Sequence, residues 1–291
     1  MCPAKCRRHH HHHGSTAAAS TVEDWREEAI NGGTLKHVDL HTGINGWASP
    51  PGEVFSLRGP KYFSKKTKTP SGEWLLNPAG ADWLRSNCRL DHVLARPDNR
   101  IMAALRNSKC PEKSSKTFII AINLQVPGRD HYSAVFYFSS KIDESIHSNS
   151  LLYQFIHGSD AFRNGRFKIV SKIVKGPWIV KNTVGNYSAC LLGKALNCYY
   201  HKGPNYLEID VDIGSSAIAT TILRLALGCV TAVKVDMGFL VEAQSEEELP
   251  ERLFGAVRIC QMEMNSATFI DNTMPSRKVL PCEDESENED E

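Results

Sequence analysis

From Tyr206 to Ile213 apolar and polar residues alternate without a break. Leu207, Ile209, Val211 and Ile213 fall on one side, Tyr206, Glu208, Asp210 and Asp212 on the other. A period of two marks a β-strand with one buried face, and here it sets three carboxylates in a row on the opposite face. Gly214 then leads through Ser215 and Ser216, residue types that cap helices, into Ala217–Leu227. That run is apolar nearly all round, so as a helix it is either buried or turned toward lipid.

Other stretches give further elements. A short helix is predicted over Thr21–Ile30, capped by Thr21 and ended by Asn31-Gly-Gly33. Gly43, Gly46, Pro50, Pro51 and Gly52 make a loop, in which Trp47 is expected to plug the core. Strands are predicted at Glu53–Leu57 and Glu73–Leu76, a short helix at Ala79–Ser86, and a polar loop over Asn107–Ser115. Thr117–Val126 and His131–Ser139, joined by Pro127-Gly-Arg-Asp130, read as a β-hairpin. A helix over Ser150–Phe162 precedes a strand from Arg166 to Val174, which Gly176-Pro177 breaks. Further strands cover Cys190–Tyr200, Thr231–Ala243 and Ala256–Met262, and Ser245-Glu-Glu-Glu248 fits a capping box.

Long hairpins with widely separated helices and no regular βαβ repeat predict an α+β fold: a large curved antiparallel sheet with three or four packed helices. The first 20 residues, with the run His9–His13, read as an expression tag and spacer, and 271–291 as an acidic tail too polar to fold. A single domain over 21–270 remains. Omitting the tag's three basic residues and the seven acids between Glu283 and Glu291 leaves 31 cations against 26 anions, about +5. Such an excess permits an anionic partner, but no nucleic-acid-binding motif accompanies it, so nucleic acid is not expected. Seven unpaired-looking cysteines outside the tag argue for a reducing compartment, with Cys190, Cys198, Cys229 and Cys260 as buried thiols. Asn186-Tyr-Ser188 matches a glycosylation sequon, which we take as chance.

Three patches carry candidate chemistry. Lys61, Lys65, Lys66 and Lys68, interleaved with Tyr62 and Phe63, suit an anionic membrane surface or a merely solvated loop. Arg166, Lys168 and Lys172 share one strand face, complementary to Glu208, Asp210 and Asp212. They either pair across a sheet or line a cavity, where Arg166, Lys168 and Glu208 would face a ligand's polar head. The apolar helix, through Ile218, Ile222 and Leu225, would close such a cavity or simply fill a core. No metal or cofactor is expected, and no nucleophile elbow, P-loop, dinucleotide fingerprint or zinc helix points to an enzyme.

Several segments resemble the C-terminal domain family of the plant protein enhanced disease resistance 2. They include Asn123-Leu-Gln-Val-Pro-Gly128, His131-Tyr-Ser-Ala-Val-Phe-Tyr-Phe138, Gly176-Pro-Trp-Ile-Val180 and Asn205-Tyr-Leu-Glu-Ile-Asp-Val-Asp-Ile-Gly214. In that family a second acid usually stands where this chain has Ser159. Larger members carry pleckstrin-homology and START lipid-transfer modules and are linked to control of cell death and defence, and to endomembranes. The resemblance implies a regulatory role in plants.

Together these readings predict a cytoplasmic protein, peripheral on endomembranes, that binds or transfers a lipid or other small apolar ligand in a START-like hollow sheet. The alternative is a non-enzymatic protein-interaction module with a solid core and a protein partner. Whether the space beneath Ala217–Leu227 is hollow separates the two.

Overall fold

The computed structural model describes residues 24–108, 116–140, 146–185 and 187–271. The tag, the acidic tail, Thr21, Asn186 of the sequon and most of the polar loop at 107–115 lie outside the described residues. The strands in chain order are β1 (Lys36–His37), β2 (Gly46–Ala48), β3 (Ser56–Arg58), β4 (Lys68–Pro70) and β5 (Asn77–Ser86). They continue as β6 (Ile119–Val126), β7 (His131–Ser139), β8 (Phe167–Lys175), β9 (Tyr187–Leu191) and β10 (Asn197–Lys202). Last come β11 (Tyr206–Asp212), β12 (Lys234–Val241), β13 (Leu253–Cys260) and β14 (Thr268–Ile270). The helices are α1 (Asp24–Asn31), α2 (Tyr62–Lys65), α3 (Arg100–Arg106) and α4 (Leu151–His157). They are followed by α5 (Asp160–Arg166), α6 (Trp178–Val184), α7 (Leu192–Ala195) and α8 (Ala217–Leu227).

The fold is α+β, with its strands divided between two six-stranded sheets rather than held in one. The first runs β1-β2-β13-β12-β8-β9, the second β10-β11-β6-β7-β5-β14, and β3 pairs with β4 alone. Most neighbours are antiparallel, but β1 runs parallel to β2, β11 to β6 and β14 to β5. The predicted hairpin is the β6–β7 pair at the centre of the second sheet.

The two sheets meet face to face over one core. Phe136 and Phe138 of β7 pack on Phe239 of β12, with ring centres 6.3 and 6.1 Å apart. Phe254 and Phe167 complete the aromatic layer. Gly255 is required there, because a Cβ at that position would collide with the Phe138 ring. Trp47 is buried as predicted, in β2. On the outer side of the second sheet α1, α3 and the 88–95 loop cover Ala79, Ile119, Ala121 and Val135. On the outer side of the first, Phe55 and Leu57 pack against Val170, Leu240 and Leu253.

Some elements depart from the sequence pattern for physical reasons. Ala79–Ser86 is the strand β5, not a helix. Both of its faces are covered, so the apolar run lacks alternation, and Gly80 holds φ +135°, which no helix accommodates. The helix predicted over Ser150–Phe162 is two, because Ser159 caps a new one: its Oγ accepts from Phe162 N at 3.2 Å. Cys190–Tyr200 is likewise interrupted, by the short α7. Of the four thiols read as buried only Cys260 is; Cys190 is exposed and Cys198 and Cys229 are half-buried.

Candidate functional site

Away from the aromatic layer, the sheets separate and α8 lies over the gap. Ser216 starts this helix, its Oγ accepting from Ala219 N at 3.3 Å, and Gly228 follows its end. The helix is too apolar to stand in water, yet none of its residues is fully buried. Beneath it is a cavity of about 430 Å³. The first sheet supplies its floor through Ile169, Ser171 and Ile173 of β8 and Val235 and Met237 of β12. Leu124 and Val211 come from the second sheet, and Ala219, Ile222, Leu223 and Ala226 form the roof. Val180 of α6 and Leu192 of α7 line the sides, and the cavity opens to solvent.

The small residues explain the hollow. Ala219 and Ala226 are the roof residues nearest in kind to nothing at all, and Ser171 and Ser188 replace bulk on the floor. Small ligands occupy sites of about 300–1,000 Å³, so the cavity has the capacity for one. An engineered cavity of about 150 Å³ already takes benzene. Its wall carries one polar mark, Ser171 Oγ and Ser188 Oγ, 2.6 Å apart. Either can donate, and the pair consumes one O–H, leaving the other without a partner among the described residues. Cys190 also faces the cavity, and partial burial pushes its thiol pKa up.

The structure scatters the residues predicted to hold a ligand. Ile222 lines the cavity, whereas Ile218 is 76% exposed and Leu225 is not on the wall. Arg166 bonds Glu248 at 2.6 Å and stacks over Phe162. Lys168 lies between Glu242 and Glu251, at 3.1 and 3.2 Å, on the opposite face of β8 from the cavity. Arg58 joins the same acids. Pairing of Arg166, Lys168 and Lys172 with Glu208, Asp210 and Asp212 does not occur, because β8 and β11 belong to different sheets. Lys61, Lys65, Lys66 and Lys68 are exposed around α2 and β4, none of them lines the cavity, and Lys66 and Lys68 rest against the rings of Tyr62 and Tyr187.

Glu208 is buried on the outward face of β11 and clamps a loop. Its oxygens accept from Val93 N at 2.6 Å and Leu94 N at 2.8 Å. Asp210, also buried, accepts from His92 N, Asn123 Nδ2 and His201 Nε2, each at 2.9 Å. The imidazoles of His92 and His201 stack at 4.3 Å, and His92 Nε2 meets the Tyr206 hydroxyl at 2.8 Å. Burial, and then the charge of Asp210, holds the Glu208 carboxyl well above the usual carboxylate range. Burial and the neighbouring His201 lower the pKa of His92. Among the described residues no cluster of metal-ligating side chains is present.

These features define an α+β protein of two facing sheets with an apolar cavity under a loosely seated helix. The chain belongs to the family described as "Protein ENHANCED DISEASE RESISTANCE 2, C-terminal", whose model matches residues 47–263. It is 43% identical over 235 residues to "Protein ENHANCED DISEASE RESISTANCE 2-like" of Arabidopsis thaliana. That match covers 81% of this chain and 31% of the relative, so the chain spans about a third of the protein it resembles. No solved structure matches it.

Proposed function

We propose that this chain binds a lipid acyl chain or a comparable small apolar molecule in the cavity beneath α8, as a non-catalytic carrier or sensor. One observation carries the reading: a cavity of about 430 Å³ walled almost wholly by apolar side chains, where a solid-core interaction module would have packed atoms. The apolar tail would lie between Ile169, Val235 and Ile222. The free O–H of the Ser171–Ser188 pair would meet a carbonyl or hydroxyl of the ligand's head. The likeness to START domains drawn from the sequence rests on this capacity rather than on a matched fold. A cytoplasmic site on the face of an endomembrane fits a ligand that dissolves poorly in water.

The names of the family and of its Arabidopsis relative tie both to disease resistance, and ligand-dependent regulation of plant defence is the role we infer for this chain. The His201–Asp210 pair, the nearest approach to a catalytic constellation, serves the loop clamp in this reading. Native mass spectrometry of the purified protein, with extraction of whatever is bound, tests the carrier. A stoichiometric lipid, or uptake of one from mixed vesicles, is expected. Persistent emptiness together with no uptake would reject it.

A further inference from the structure

Between Asp160 and Glu208 the chain has no Asp or Glu and eight Lys or Arg; from Ile213 to Val235 it again has no acid and two cations. The fold gathers both stretches at one place, since they supply β8, α6, β9, α7 and α8, each of which lines the cavity. Arg163, Arg166 and Lys168 find acidic partners elsewhere. Lys175, Lys181, Lys194 and Arg224 take part in no ion pair among the described residues. The cavity end therefore presents unpaired positive charge.

The same end exposes apolar surface. Where β8 gives way to α6, Val174 is 38%, Trp178 73% and Ile179 45% exposed. Lys175 and Lys181 bracket them in sequence. The next helical residue, Val180, is fully buried on the cavity wall, and α6 packs against α8. A chain that buries Trp25, Trp47 and Trp83 leaves this tryptophan in water. Tryptophan beside aliphatic residues and lysines is the composition that settles at a bilayer interface, the ring at headgroup depth and the ammonium groups among phosphates.

We propose that the Val174–Lys181 corner is the face with which the protein lies on an anionic lipid bilayer, and that it sets the cavity against the membrane. The occupant is a phospholipid surface with net negative charge. Trp178 and Ile179 enter its interface, and Lys175 and Lys181 contact phosphate groups. The inference deepens the carrier reading and rests on it for the direction of loading, but its evidence is the surface alone. It moves membrane contact away from Lys61–Lys68, whose neighbouring aromatic rings are already held by cations of the protein itself.

Sedimentation with phosphatidylcholine vesicles, with and without phosphatidylserine, provides the test. Binding is expected only to the anionic vesicles, with a blue shift in tryptophan emission that Trp178→Ala abolishes. Lys175→Gln and Lys181→Gln should each weaken binding roughly fivefold, Trp178→Ala about tenfold or more. These side chains are at the surface, so the variants should keep the parent's melting temperature. Equal binding by Trp178→Ala and wild type, or a loss confined to a Lys61/Lys65/Lys66/Lys68→Gln variant, would overturn the proposal. No binding to either vesicle would overturn it too. The carrier reading fails separately: an Ile222→Trp variant that takes up no ligand should still bind anionic vesicles through Trp178.

Discussion

Glu208 shows how a single side chain can look like a ligand group and serve as a structural clamp. Its two oxygens complete the hydrogen bonding of Val93 and Leu94, residues more than a hundred positions away. Truncation in Glu208→Ala would strand two buried N–H donors and should cost about 3 kcal/mol, read by urea unfolding. The pH dependence has a definite sign. The folded protein holds a proton on Glu208 that the unfolded chain releases above the ordinary value of 4.5. Its contribution is therefore complete below that value and is lost as pH rises through the raised folded pKa. His92 acts in the other direction: its pKa is lowered from 6.5, so its contribution holds above 6.5 and is lost as pH falls toward the lower folded value. Unfolding free energies measured across pH should show Glu208→Gln flattening the alkaline decline alone; an unchanged alkaline slope would exclude Glu208 as its source. The alternation in the sequence located this acid on the right face of the right strand. It could not show that the face is covered, because the covering groups are backbone amides, which have no residue type.

At the scale of elements, α8 is loosely anchored for a helix so apolar. Strands β6 and β7 are buried along nearly their whole length, whereas α8 has no fully buried residue. Its amides should exchange hydrogen orders of magnitude faster than those of β6, and a bound apolar ligand should slow them by filling the space below. Equal protection of α8 and β6 in the empty protein would contradict this account. Ser216→Ala removes the N-cap and should cost about 1 kcal/mol in global stability, with faster exchange concentrated in α8. The sequence was informative where polar and apolar residues separate cleanly by face, as in β11, or where a run is apolar nearly throughout, as in α8. It misled at β5, where α1 and α3 cover one face and the opposing sheet the other, so that alternation vanishes. It also missed the break at Ser159, since a serine inside an apolar run marks a cap only when the chain actually turns there.

For the whole molecule the decisive feature is unequal filling between two sheets. Phe136, Phe138, Phe167, Phe239 and Phe254 occupy the space at one end, while serines and alanines leave it open at the other. The parallel pairing of β11 with β6, across more than eighty residues of chain, brings Val211 beside Leu124 on the cavity's wall. No local pattern encodes that pairing, which is why the sequence pointed to the roof helix and to Ile222 but not to the floor residues Ser171 and Ser188. A substitution that fills the hollow exposes the difference between its two ends. In a packed core added bulk costs about 1–3 kcal/mol, and Gly255→Ala, driven against Phe138, should follow that rule. Ile222→Trp instead adds bulk into open space lined by Ile169 and Val235, so the empty protein should melt at the parent temperature or above it. The same variant should lose lipid uptake, and its Cys190 should be shielded from maleimide as a bound ligand would shield it in the wild type. If Ile222→Trp destabilised the protein as much as Gly255→Ala, the space beneath α8 would be closed in solution and the carrier would have no chamber.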